Sequence, residues 1–200
     1  MRRVTGILLA AGSSRRFGSN KLLAPLADGT PLAVAAARRL IAAVPETLTV
    51  LRPGATELAA MLAAQGLRIV ECAQAEHGMG HSLAAGVAAA GTADAWLIAL
   101  ADMPEIKDST LAALVAQLAA GSALVAPFHN GQRGHPVGFA AEYGPELLSL
   151  RGDAGARDLL ARHALALTRL DVDDPGILID VDTPGDLRLE RAPRPDRVTS

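Results

Sequence analysis

The sequence predicts an α/β fold, a Rossmann-like three-layer sandwich in which a mostly parallel sheet carries helices on both faces. Three observations point there. Apolar, β-type runs alternate with Ala/Leu-rich helical runs almost to the end of the chain, the order that strand–helix repeats produce. Half of the 200 residues are hydrophobic and only five are aromatic, a composition suited to small-residue helices packed on a buried sheet. A loop of small residues follows the first apolar run, at the kind of strand end where open α/β sheets receive ligands.

Strands are expected over Val4–Ala10, Thr47–Leu51, Leu67–Glu71, Ala95–Leu100, Ala123–Ala126, Val137–Ala140 and Ala166–Asp171. Helices are expected over Leu32–Ala43, Ala55–Gln65, Ser82–Ala90, Ser109–Ala119, Pro145–Leu150, Ala154–Ala164 and Pro184–Glu190. Pro31 suits the start of the first helix, and Asp108 suits an N-cap before Ser109. Gly66, Gly91 and Gly121 fall where left-handed caps would end helices. Crossovers are expected to be right-handed. The alternation implies a single domain over residues 1–190. A tail over 191–200, with Ala192-Pro193-Arg194-Pro195 and little to bury, is expected to be disordered.

Composition narrows the function. A net charge of −2, with no basic stripe interleaved with aromatics, argues against a nucleic-acid surface. Cys72, the single cysteine, excludes an internal disulfide and fits a reducing compartment. No apolar run reaches the roughly 18 residues needed to span a bilayer. Met1-Arg2-Arg3 leads at once into fold-forming residues rather than into a secretory signal. A soluble cytoplasmic protein is the expectation, with neither nucleic acid nor membrane as partner.

The stretch Leu9-Ala10-Ala11-Gly12-Ser13-Ser14-Arg15-Arg16-Phe17-Gly18-Ser19-Asn20-Lys21 has the makings of a triphosphate cradle. Backbone N–H groups in such a loop can face phosphate oxygens. Arg16 can fork across two oxygens while Lys21 supplies a compact charge. The P-loop pattern fails, because positions 17 and 18 hold Phe and Gly, and the dinucleotide fingerprint fails because Gly12 and Gly18 are six apart. Two acidic motifs follow. Asp102, in Ala99-Leu100-Ala101-Asp102-Met103-Pro104, is delivered by a buried strand to its carboxyl end, where a hard carboxylate oxygen suits Mg²⁺. In Ile179-Asp180-Val181-Asp182-Thr183-Pro184, period-two alternation would place Asp180 and Asp182 on one strand face, while Asp182 or Thr183 would alternatively cap a helix opening at Pro184. Gly78-Met79-Gly80-His81-Ser82 offers close backbone approach and a helix start facing phosphate or ribose. His77 and His81 lack the H-E-x-x-H arrangement of a zinc site, and Cys72 reads as packing.

The pattern L-A-A-G-x-S-x-R-x-G-x-x-K resembles the signature loop of the MobA-like nucleotidyltransferases, a group that includes molybdopterin cytidylyl- and guanylyltransferases. The segments around Asp102, around Asp182 and at Gly78–Ser82 resemble that family's L-x-D-x-P, D-I-D-T-P-E-D-L and G-M-x-x-S-L motifs. Gly185 departs from the family's Glu, and Cys72 replaces a frequent Asn. Arg133-Gly134-His135-Pro136-Val137 and Gly152-Asp153-Ala154-Gly155-Ala156-Arg157 resemble R-G-H-P-V and G-D-x-G-A-R of the cytidylyl branch. The resemblance spans residues 4 to 187 and implies a Mg²⁺-dependent enzyme that moves CMP from CTP to molybdopterin and releases pyrophosphate. It implies Arg16, Lys21 and Asp102 as catalytic residues and Asp102 with Asp182 as metal ligands, Asp180 being the alternative to Asp182. Leu9, Ala10, Ala11, Gly12, Ser14, Arg16, Lys21, Gly78, Met79 and Ser82 would bind nucleotide. Arg133, Gly134, His135, Pro136, Asp153 and Arg157 would bind the acceptor. A molybdoenzyme or its maturation chaperone would be a protein partner. The rivals are a guanylyl or sugar-phosphate nucleotidyltransferase, a non-catalytic cofactor carrier, and a nicotinamide-dependent oxidoreductase, the last disfavoured by the missing fingerprint.

Overall fold

A computed structural model describes residues 2–12, 20–153, 155–183 and 185–186. Strands β1 (Val4–Leu9), β2 (Thr47–Leu51), β3 (Arg68–Glu71), β4 (Ala95–Leu100), β5 (Leu124–His129), β6 (Gln132–Arg133), β7 (Val137–Ala140) and β8 (Leu167–Asp171) form one sheet. Helices α1 (Leu32–Ala43), α2 (Thr56–Ala63), α3 (Met79–Ala90), α4 (Asp108–Ala120), α5 (Gly144–Ser149) and α6 (Arg157–Arg162) join them. The sheet runs β3-β2-β1-β4-β7-β5, and β5 also pairs with β6 and β8. Pairing is parallel from β3 through β4 and again between β5 and β8.

One strand runs backwards. β7 is antiparallel to both β4 and β5. Seven residues separate β5 from β7, too few for the dozen or more that a parallel crossover needs. Asn130-Gly131, both with positive φ, instead turn the chain in a two-residue hairpin that pairs His129 with Gln132. That hairpin creates β6, which periodicity did not predict.

Alternation along the strands divides the core between the two faces. Leu8, Leu51, Leu97 and Val125 pack beneath α1, α2 and α4, with Leu40, Leu62, Leu114 and Leu118 fully buried. Ile7, Leu48, Ile98 and Phe139 pack on the other face against Leu83 and Val87 of α3, Leu147 of α5 and Leu159 of α6. Cys72 lies in this second cluster as a packed, buried side chain.

Several local expectations shift. Asp108 is the first residue of α4 and makes no side-chain cap; it accepts a hydrogen bond from Arg39 instead. Asp174, 1% exposed, takes over that end of α4: its Oδ2 accepts from Lys107 N at 2.9 Å and Thr110 Oγ1 at 2.7 Å. Helix α3 opens at Met79 rather than Ser82, immediately after the positive-φ break at Gly78. α6 occupies the centre of the helix expected over Ala154–Ala164, and Ala154 lies outside the described residues. Gly66, Gly91 and Gly121 all take positive φ after their helices, with Gly121 a left-handed cap. Residues 179–182 are irregular rather than a strand, because Val181 N is spent on the carbonyl of Asp102, at 2.9 Å, instead of on a ladder. Of the helix expected over Pro184–Glu190 only Gly185 and Asp186 are described, and the 191–200 tail lies outside the described residues.

Candidate active site

The carboxyl ends of β1 and β4 lie side by side, with Leu9 opposite Leu100. Ala101 N donates to Leu9 O at 3.0 Å, so Ala10-Ala11-Gly12 and Asp102 emerge together from the sheet. Lys21 returns to this edge on a short 3₁₀ turn, Lys21–Leu23, which Asn20 caps by accepting from Leu22 N. Leu22, 3% exposed, anchors that turn in the core and aims Lys21 inward.

Three carboxylates meet there. Asp102, Asp180 and Asp182 can each offer an oxygen with all three atoms within 4.8 Å of one another. Asp180 and Asp182 converge on Asp102 without any strand to align them. Val181, 1% exposed and bound to Asp102 O, pins the segment from below. Asp186 fixes its far side: Oδ2 accepts from Asp182 N at 2.9 Å, Thr183 N at 2.7 Å and Thr183 Oγ1 at 3.0 Å. Those bonds, Thr183 N–H foremost, hold the Asp186 carboxyl below the usual range. Lys21 Nζ donates to Asp102 Oδ2 at 2.8 Å and Asp182 Oδ1 at 3.0 Å. Burial works against the Lys21 charge, but hydrogen bonding and attraction from Asp102 and then Asp182 outweigh it and raise its pKa above the ordinary value. A set of hard carboxylate oxygens at this spacing fits a divalent cation.

Asp102, with Lys21, lines a cavity of about 730 Å³, within the range of a nucleotide-sized pocket. Leu9, Ala10, Ala11, Gly12, Gly78, Met79 and Ser82, all expected at the nucleotide as Lys21 was, line it too. Ser14 and Arg16 lie outside the described residues. Asp153, expected at the acceptor, also faces this larger cavity. A second pocket of about 170 Å³ takes Arg133, His135 and Arg157 over an apolar floor of Ile98, Val137, Phe139 and Leu160. Leu9 and Met79 line both cavities.

Gly134 and Pro136 are buried beside His135. Gly134 N donates to Pro127 O and His135 N to Ile177 O, which ties this acceptor candidate to the segment that carries Asp180 and Asp182. His135 Nδ1 is buried without a partner among the described residues. Burial, then the Arg133 charge, lowers its pKa against a smaller opposing pull from Asp102. The imidazole is therefore neutral near pH 7.

The two expected binding segments form one packed unit. Gly78 has φ +121°, and a Cβ there would sit 2.3 Å from the carbonyl carbon of Gly152. Gly80 N donates to Gly152 O at 2.8 Å. Only glycine allows that approach of two backbones. His77 and His81 meet edge to face at 5.8 Å, and His81 Nδ1 accepts from Gly152 N.

Sequence reasoning missed Asp186, Arg52 and Glu76. The spacing Thr183-x-x-Asp186 is a capping-box signal that would have found the first. Arg52 directly follows β2, so the strand-end rule would have placed it at the ligand cleft, whose wall it forms with Glu76.

A mostly parallel sheet with a lysine and convergent carboxylates at its carboxyl edge is the frame of an α/β nucleotidyltransferase. Residues 6–167 match the MobA-like NTP transferase domain. The chain belongs to that family and is a nucleotidyltransferase. It is 36% identical to the purine catabolism protein PucB of Bacillus subtilis, over 93% of this chain and 95% of that protein. It is 34% identical to nicotine blue oxidoreductase of Paenarthrobacter nicotinovorans, over 90% of this chain and 92% of that protein. A crystal structure of Rv0371c from Mycobacterium tuberculosis in complex with manganese matches with a TM-score of 0.76 at 26% identity, over 94% and 97% of the two chains. Among the described residues, no helix is long and apolar enough to cross a membrane.

Proposed function

We propose that this nucleotidyltransferase moves CMP from CTP to molybdopterin, giving the cytosine dinucleotide form of the molybdenum cofactor. The observation that carries the reading is the junction of two unlike cavities. One is nucleotide-sized and lined by Lys21 and by Asp102 of the aspartate cluster. The other is smaller, apolar-floored and rimmed by Arg133, His135 and Arg157. Leu-Ala-Ala-Gly at 9–12 and Arg-Gly-His-Pro-Val at 133–137 support the cytidylyl branch over the guanylyl one.

A phosphate monoester is already an anionic nucleophile near neutral pH, so transfer needs positioning and charge neutralisation rather than a general base. Gly12 and the loop beyond it, with Arg16 and Lys21, would hold the triphosphate. Arg133 and Arg157 would hold the acceptor phosphate, and neutral His135 would offer its buried nitrogen to the acceptor ring. Asp102 and Asp182, with Asp180 beside them, would hold Mg²⁺, which would offset charge on the phosphate oxygens. The α-phosphorus–oxygen bond to the acceptor forms as the bond to pyrophosphate breaks. Manganese in the Rv0371c structure supports a divalent ion here. The name of the second relative raises hydride transfer as a rival, and the aspartate–lysine cluster gives that chemistry no evident use.

Incubation with each nucleoside triphosphate, Mg²⁺ and molybdopterin, followed by pyrophosphate release and product mass, tests the assignment. CTP should exceed GTP and ATP. Equal or better turnover with GTP moves the protein to the guanylyl branch, and transfer to sugar phosphates but not molybdopterin replaces the acceptor. Binding without pyrophosphate release would make it a carrier.

A further inference from the structure

Lys21 sits where a cation would sit. Its ammonium lies 2.8 Å from Asp102 and 3.0 Å from Asp182, the two carboxylates assigned to the metal, and it is 8% exposed. Carboxylates that share a site repel one another unless a positive charge intervenes. The ammonium supplies that charge, but it uses the same oxygens that a metal at about 2.0–2.1 Å would need. A divalent ion and Lys21 therefore compete for Asp102 and Asp182. Lys21 also lines the nucleotide-sized cavity, so phosphate oxygens placed there offer it new partners when it leaves the carboxylates.

We infer that Lys21 is a displaceable internal counter-ion, one that holds the aspartate cluster against bare metal and yields it when a triphosphate arrives. The inference rests on the metal assignment made above. It makes Lys21 a positioning residue in two states, on the carboxylates before substrate and on phosphate afterwards. Metal and triphosphate then strengthen each other's binding, by linkage, through the lysine they share.

Manganese binding followed by electron paramagnetic resonance, with inorganic tripolyphosphate as the base-independent partner, tests this without any turnover. Lys21→Met should bind Mn²⁺ alone at least tenfold more tightly than the unmutated protein, whereas Lys21→Arg, which keeps the charge, should not. Tripolyphosphate should tighten Mn²⁺ binding at least tenfold in the unmutated protein and far less in Lys21→Met. A second measurement needs no variant. The lysines of this chain are Lys21 and Lys107, and Lys107 is exposed, so it serves as the internal reference for amine acetylation read by mass spectrometry. Mn²⁺ alone, at saturation, should raise Lys21 labelling relative to Lys107, and tripolyphosphate added to it should lower it again. Equal Mn²⁺ affinity in the unmutated protein and Lys21→Met, or Lys21 labelling indifferent to Mn²⁺, overturns the inference and leaves the metal site standing. Failure of both proteins to bind Mn²⁺, with or without tripolyphosphate, overturns the metal assignment and the inference with it.

Discussion

Replacement of Asp174 by alanine should destabilise the protein well beyond an ordinary surface change, and the structure gives the size. The carboxylate is 1% exposed and accepts from Lys107 N at 2.9 Å, Thr110 Oγ1 at 2.7 Å and Gly176 N at 3.0 Å. A hydrogen bond to a charged group is worth about 1.5–3 kcal/mol. Lys107 lies at the surface, where water replaces part of the loss, whereas Thr110 and Gly176 are buried. The expected total is about 3–5 kcal/mol, a large share of the roughly 5–15 kcal/mol that holds a domain folded. With a urea dependence of about 2 kcal/mol per molar, the midpoint should fall by on the order of 2 M. Asp174→Asn, which keeps one acceptor oxygen, should lose about half as much. The effect should reach the site as well, because Asp174 ties the end of α4 to the 3₁₀ turn at Pro175–Leu178, two residues before Asp180. Equilibrium unfolding in urea measures the first effect, and Mn²⁺ affinity of the folded variant measures the second. A loss below about 1 kcal/mol would refute the reasoning, since it would mean that these three donors find other partners.

Two further predictions follow from the same geometry. Gly78→Ala places a methyl group 2.3 Å from the Gly152 carbonyl carbon at φ +121°, so it should cost at least about 2 kcal/mol, whereas Gly12→Ala, with nothing within 4 Å among the described residues, should change stability by about 0.5 kcal/mol or less in the same urea assay. For His135 the folded pKa lies below the ordinary 6.5, so its contribution is complete above that pH and is lost as the pH falls from 6.5 towards the folded value, where the unfolded chain takes the proton first. Unfolding free energies at pH 7.5 and pH 5.5 should therefore fall more steeply in the unmutated protein than in His135→Phe, and parallel slopes would exclude the buried imidazole as a cause.

The alternating architecture was legible because it is written in local periodicity. Buried strands such as Trp96–Leu100 and helices such as Leu32–Ala43 need no distant residue to declare themselves, and the strands expected from Val4–Ala10 through Ala166–Asp171 all have counterparts in the sheet. Leu9, Ala10, Ala11, Gly12 and Lys21 were placed at a strand end by one continuous stretch of sequence, and they line the larger cavity. The hairpin at Asn130-Gly131 was also present in the sequence, as a two-residue turn signal, and it would have reversed β7.

Other features depend on contacts between residues far apart in the chain. Asp180 and Asp182 were expected together through strand alternation, yet what brings them to Asp102 is one backbone hydrogen bond from Val181 and the brace of Asp186. The role expected of Asp108 belongs to Asp174, whose backbone lies 66 positions downstream of it and which reaches the same helix end through the fold. Lys21 was read as a phosphate ligand, and the fold seats it on two aspartates that lie 81 and 161 residues away in sequence. The sequence alone determined the layers, the strand ends and the residue types gathered there, because propensity and periodicity act over a few neighbours. Only the tertiary structure decided which charges share oxygens, because a salt bridge depends on separations of about 3 Å that no spacing along the chain encodes.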